Sequence, residues 1–331
     1  MTRRRKIYLD HPELPLEDGD EALLEGRRKR EAVMKEYSDL ETPEEDTPGD
    51  GIDRRLRYIS FGSGSSGNSC YIGNSKGGFL IDAGLKADQV EAELASHGVT
   101  MKMVKGLLLT HDHSDHVRYA YNILRTNRHM GLYCTPRVLS GLLRRHSISK
   151  RIKEYHEPIF KEIPFRIMDF EITAFDVPHD GTDNMGFSIE WEGKRFVLAT
   201  DLGAVTERAR FYMSQANYLV IEANYDDDML RSGHYPEYLK ARIRTDRGHM
   251  RNEETAAFLQ DIVNPDLKNI FLCHLSQDNN TPAKALKAVR EALEAKGVKV
   301  GGDEDTLSDR KADVQLSVLP RFEATRWYMF R

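Results

Sequence analysis

Cysteine is scarce in this chain: 331 residues carry three, Cys70, Cys134 and Cys273, far apart and without C-x-x-C spacing. An odd, sparse set of this kind predicts reduced core thiols in the cytoplasm rather than a disulfide framework. Cys273 precedes His274, but the opposite strand face makes it a core thiol rather than a ligand. Long apolar runs are also missing, so no bilayer-spanning segment is expected. The basic residues Arg3 to Lys6 have no apolar stretch behind them, and no secretory signal is read there. The loop Gly62 to Asn68 lacks the Lys-Ser/Thr ending of a phosphate-binding P-loop, and no helix is expected after it, so it reads as a turn between strands. Acid is missing from one long stretch: between Val117 and Lys153 there is no Asp or Glu, although the whole chain carries a net charge of −5.

What is present changes character near residue 53. Residues 1 to about 53 are dense in charge, with Pro43, Pro48, Gly49 and Gly51 as breakers; a helix from Asp20 to Tyr37 is expected. The rest of this N-terminal extension has too little apolar surface to order itself and is expected to be a flexible tail. From residue 54 to 331 short strands alternate with helices, and the length suits one large α/β domain. Leu56 to Phe61, Ser69 to Ile72 and Phe79 to Asp82 read as a meander. Met185 to Trp191 and Arg195 to Thr200 read as a hairpin. Helices are expected at Ala87 to His97, Val117 to Thr126, Pro136 to Arg145, Ala204 to Met213 and Pro282 to Lys296. Asn252 is read as the N-cap of a helix Glu253 to Val263. Meanders opening each half, followed by alternating elements, predict an αβ/βα sandwich of two mixed sheets between helices.

The strongest chemical signal follows the apolar run Val104 to Leu109. His111, His113, Asp115 and His116 form an H-x-H-x-D-H cluster directly after what reads as a buried strand. Period-2 spacing sends His111 and His113 to one side, and a turn into a helix brings Asp115 and His116 back toward them. Imidazole mixed with carboxylate suits zinc, iron or manganese rather than calcium. The plainer alternative is a histidine-rich surface loop. Three more polar residues, His179, Asp201 and His274, each follow an apolar strand, where ligands from several segments can converge.

These residues carry a resemblance. H-x-H-x-D-H after an apolar strand is the first metal motif of the metallo-β-lactamase fold superfamily. Phe61-Gly-Ser-Gly-Ser-Ser-Gly-Asn-Ser-Cys-Tyr-Ile72, followed by Leu80-Ile-Asp-Ala-Gly84, resembles its YycJ (WalJ, VicX) branch, which is associated with nuclease activity. The likeness runs from about Arg57 to beyond Pro282. Carried over, it implies one divalent ion on His111, His113 and His179, another on Asp115, His116 and His274, and Asp201 bridging both. Two such ions share a water whose pKa drops toward neutrality, and the resulting hydroxide would attack phosphorus, with Asp115 orienting it. His249, expected at a helix N-terminus, is the candidate to protonate or stabilise the leaving oxygen, against the reading of a surface histidine. Around it Met250 and Arg251 depart from the branch's pattern, as does Tyr225 in Asn224-Tyr225-Asp226.

The acid-free block supplies Arg144, Arg145, Lys150 and Arg151 beside the proposed metals, which fits a phosphate backbone bound without sequence readout. A solvated helix face balanced by distant acids is the alternative. Asn279 is read as a phosphate contact or, slightly favoured, a turn residue. A metal-dependent nuclease, with DNA favoured and an exonuclease expected, is thus the leading function. A small-molecule hydrolase of the same fold (a cyclic phosphodiesterase or glutathione thioesterase) is second. A non-catalytic binding protein is third, and the full ligand set argues against it.

Overall fold

The computed structural model describes residues 53–302 and 311–330. The N-terminal extension up to residue 52, with the helix expected at Asp20 to Tyr37, lies outside them. The first half opens with the antiparallel meander β1 (Leu56–Gly62), β2 (Ser69–Gly73) and β3 (Gly78–Ile81). Helix α1 (Ala87–Ser96) leads to β4 (Val104–Leu108), which lies parallel to β3. Two short helices follow, α2 (Ser114–Val117) and α3 (Ala120–Thr126), where the sequence suggests one from Val117. The break has a cause: the Tyr119 amide donates to the Ala83 carbonyl at 2.9 Å instead of continuing a helical ladder. Strand β5 (Gly131–Cys134), helix α4 (Pro136–Arg145) and β6 (His156–Pro158) complete this half. Thr135 caps α4 by accepting from the Val138 amide.

The second half begins with β7 (Phe165–Ile167), β8 (Phe170–Asp176), β9 (Met185–Trp191) and β10 (Lys194–Ala199), again antiparallel. Helix α5 (Glu207–Met213) starts later than Ala204 because the Thr206 hydroxyl accepts from the Ala209 amide and caps it there. Then come β11 (Tyr218–Glu222), α6 (Asp227–Ser232), α7 (Glu237–Ile243) and α8 (Asn252–Ile262). The last elements are β12 (Asn269–Cys273), α9 (Pro282–Glu294), β13 (Val300–Gly301), β14 (Val314–Val318) and β15 (Tyr328–Phe330). Asn252 is not the cap of α8. Arg251 takes that place, with Glu254 accepting its amide, while the Asn252 side chain turns inward to Asn280 at 2.9 Å.

The seven-stranded sheet runs β15-β1-β2-β3-β4-β5-β6, and the eight-stranded sheet runs β13-β14-β12-β11-β10-β9-β8-β7. Both are mixed and flanked by helices, the sandwich expected from the sequence. Strands β10, β11 and β12 are apolar at nearly every position because both of their faces are buried. Phe196, Tyr218 and Phe271 face the layer between the sheets, while Val197, Leu219 and Ile270 face α5, α8 and α9. Tyr58 from the other sheet meets Phe196 and Phe271 at ring separations of 4.9 and 5.3 Å. Cys70, Cys134 and Cys273 are free and buried, as expected of core thiols. Among the described residues no helix is long and apolar enough to cross a membrane.

Candidate metal centre

The site forms where strands of both sheets end. Asp82, Asp201 and His274 follow β3, β10 and β12, and each has a left-handed backbone, with φ of 61°, 50° and 54°. That conformation costs a non-glycine residue about 1–2 kcal/mol. Three instances at one point indicate that the fold tolerates this cost to turn these side chains inward. Gly84 seats the motif from below: a Cβ there would meet the Asp115 carbonyl at 1.7 Å, so only glycine lets the two segments touch. The Asn68 amide donates to that carbonyl at 2.8 Å, and the Ala83 amide donates to the His116 carbonyl at 2.6 Å.

All seven residues expected from the sequence meet here. Ligand atoms of His111, His113 and His179 lie within 4.8 Å of one another, as do those of Asp115, His116 and His274. Asp201 stands between the groups, its Oδ2 3.0 Å from His116 Nε2 and its Oδ1 3.2 Å from His274 Nδ1 and 3.8 Å from His179 Nε2.

Whether this cluster fits metal ions is decided by how its imidazoles are held. His179 Nδ1 lies 2.9 Å from the Gly248 carbonyl, His111 Nδ1 lies 3.0 Å from Thr110 Oγ1, and His274 Nδ1 lies 2.9 Å from Glu222 Oε1. The opposite Nε2 atoms of all three are buried and have no hydrogen-bond partner. A buried, unpaired ring nitrogen is costly. One nitrogen tethered and the other presented is the arrangement of metal-ligating histidine. The residues present therefore fit divalent cations.

Electrostatics divide the cluster. Burial, reinforced by His116, pushes His111 well below the ordinary histidine range. His113 and His179 are also lowered, mainly by burial. His116 and His274 go the other way. Burial opposes their charge, but Asp82, Asp201 and Asp115 outweigh it at His116, and Asp201, Asp115 and Glu222 hold His274 up at about 10. Burial would raise Asp201, yet His274 and His116 keep it well below the usual carboxylate range.

Residues 78–274 match the family model of the Beta-lactamase superfamily domain. The chain belongs to this family. It is 34% identical over 247 residues to "Exodeoxyribonuclease YycJ" of Bacillus anthracis, covering 74% of this chain and 92% of that protein. It is 33% identical over 249 residues to "Exodeoxyribonuclease WalJ" of Streptococcus pneumoniae, covering 75% and 92%. These matches place it in the YycJ/WalJ branch of the metallo-β-lactamase fold. Among solved structures, the metallo-β-lactamase fold protein YhfI of Bacillus subtilis superposes with a TM-score of 0.58 at 12% identity, over 83% of this chain and 99% of that one. The fold implies divalent metal ions.

In this metallo-β-lactamase domain, several residues beyond the seven shape the site. Asp82 Oδ2 lies 2.7 Å from His116 Nδ1 and accepts from the Thr110 hydroxyl at 2.8 Å, which fixes the ring. Glu222, fully buried, lies 2.7 Å from His249 Nδ1 and also accepts from the Leu202 amide at 2.8 Å. His249 is not at a helix N-terminus. It precedes α8 by a turn, and its amide donates to the Ile243 carbonyl at the end of α7. Asp112, wholly buried, accepts from the Thr182 amide at 2.8 Å and the Thr182 hydroxyl at 2.6 Å, tying the loop after His179 to the motif.

The basic block divides. Arg144 donates to Thr182 Oγ1 at 3.3 Å and Arg145 to Asp112 Oδ1 at 3.5 Å, so both hang on the site's own loops. Lys150 is exposed on the following 3₁₀ turn. Arg151 instead pairs with Glu154 at 3.0 Å, just past the acid-free stretch. Asn279 is buried; its amide donates to the Ser276 hydroxyl at 3.2 Å, its carbonyl accepts from the Asp226 amide at 2.8 Å, and its side-chain Oδ1 has no hydrogen-bond partner.

Proposed function

We propose that this chain is a dinuclear metal-dependent phosphodiesterase acting as a DNA exonuclease. The observation that carries the reading is the convergence of three buried, unpaired imidazole nitrogens, those of His111, His179 and His274, on one acidic cluster. The names of the YycJ and WalJ relatives supply the substrate class. His111, His113 and His179 would hold one ion, Asp115, His116 and His274 the other, and Asp201 would face both. Zinc, manganese or iron suits this donor set. Bound there, such ions would activate water and offset charge developing on phosphorus.

The chain's own groups account for the remaining work. Asp115, at the inner end of the motif, accepts the proton side of an approaching water and orients it. His249 is held by Glu222 through Nδ1, and its other ring nitrogen, Nε2, serves as the proton donor to the leaving oxygen. Arg144 and Arg145 draw in the phosphate backbone at the mouth of the site. The buried thiols suit a reducing compartment, and cytoplasm is the proposed location.

The test is metal-reconstituted protein against end-labelled single- and double-stranded DNA and RNA, with a thioester and a simple phosphodiester as controls. Shortening of DNA from an end, abolished by chelation and by Asp201→Ala, is expected. Thioester turnover with intact DNA would favour the small-molecule hydrolase, and full activity after chelation would end the metal mechanism.

A further inference from the structure

Asp180 follows His179 directly, and nothing in the seven-residue set uses it. Its Oδ1 is buried and has no hydrogen-bond partner, like the three imidazole nitrogens beside it. That oxygen lies 3.3 Å from His113 Nε2 and 3.4 Å from His179 Nε2. The other carboxylate oxygen, Oδ2, is occupied. Arg242 on α7 donates to it from Nε at 2.7 Å and again from Nη2.

The tautomer of His179 makes this arrangement informative. The Gly248 carbonyl, 2.9 Å from Nδ1, can only accept, so Nδ1 carries the proton. In the neutral ring Nε2 then presents a lone pair, and it faces a carboxylate oxygen across 3.4 Å. Two buried lone pairs opposed in this way repel unless a cation lies between them. The separations have the right size as well. Adjacent donors about 2.0–2.2 Å from a shared ion stand about 3.0–3.5 Å from one another, whether four or more donors surround it.

We propose that Asp180 Oδ1 is a further ligand of the ion assigned to His111, His113 and His179, and that Arg242 fixes it by holding Oδ2. The proposal rests on the metal-dependent reading above. It adds an anionic oxygen, anchored from α7, to the three imidazoles of the first ion, so that each ion has a carboxylate of its own, and the harder donor set favours manganese or iron there more than imidazoles alone would. Arg242 at the same time keeps Asp180 from swinging out to solvent.

The experiment compares wild type, Asp180→Asn and Asp180→Ala after stripping and reloading with cobalt(II). It follows stoichiometry and affinity by chelator competition, and the coordination by the visible absorption of cobalt. In wild type two ions are expected. In both variants one of the two should bind at least about tenfold more weakly, with an altered cobalt spectrum, while the other ion stays at wild-type affinity. The Asn variant, nearly identical in shape, should keep the wild-type circular dichroism and melting curve. Wild-type affinities and spectra in both variants would overturn the assignment, as would equal weakening of both ions. Wild type that binds no ion would instead overturn the metal-dependent reading itself.

Discussion

Half-buried His249 pairs with buried Glu222, Nδ1 to Oε1 at 2.7 Å, and the same oxygen stands 2.9 Å from His274 Nδ1. One carboxylate thus orients both a proposed metal ligand and the proposed proton donor. Burial opposes a charge on His249, but Glu222 raises its affinity for a proton above the ordinary histidine value. Replacing His249 with Ala should lower kcat on DNA by about 100- to 10,000-fold, the usual worth of a positioned acid. Metal content should be unchanged. Single-turnover assays beside metal analysis check this, and loss of metal in the variant would make His249 a ligand instead.

The structure sharpens what to expect of the basic block. Neutralising Arg144 and Arg145 together should weaken DNA binding and lower the salt slope by roughly one unit for each phosphate left without its cation. The ratio of DNA turnover to turnover of a small chromogenic phosphodiester should fall. Arg151, held by Glu154 at 3.0 and 3.4 Å against the single 3.5 Å contact of Arg145 with Asp112, should move the slope less. A salt series on each variant measures both, and an unchanged ratio would return the block to a solvated surface.

Burial pushes the Cys70 and Cys134 thiols well above the ordinary cysteine value. The native protein should therefore react slowly with a disulfide reagent such as Ellman's, since the thiolate is the reacting form. Three thiols should appear at once in denaturant. Fast labelling of the native chain would contradict the packing described for β2 and β5.

Removing residues 1–52 should leave cooperative melting and metal content in place, because the two sheets and every proposed ligand lie beyond them. Differential scanning calorimetry of a chain beginning at Asp53 tests this. Loss of a cooperative transition would make the extension a structural part of the domain.

The metal motif is legible in the sequence because four of its ligands sit within six residues behind one apolar strand. His179, Asp201 and His274 are legible only as polar residues at strand ends, and the family pattern supplies their grouping. Glu222 is also a polar residue at the end of an apolar strand, yet nothing in the sequence ties it to the cluster: its role depends on β11 lying beside β12, where Glu222 pairs with Cys273. Asp112 is likewise hidden, since its partner Thr182 arrives from the loop between β8 and β9. The strands β6, β7 and β13 have two or three residues each, too few to show a period. The split of α2 from α3 is set by a carbonyl far back in the chain, which local propensity does not register.

The proposed ligands run from His111 in the first half to His274 after β12 in the second. A ribosome releases them in that order. A chain still being made holds the H-x-H-x-D-H motif long before it holds β11 and β12, and until those strands pair His274 has nowhere to stand. On the proposed assignment, the second ion would be seated only once synthesis has passed β12 and the two sheets have closed on each other. A chain that stops before His274 would carry the motif without the third ligand proposed for the second ion, so an unfinished product would lack that ion's complete site.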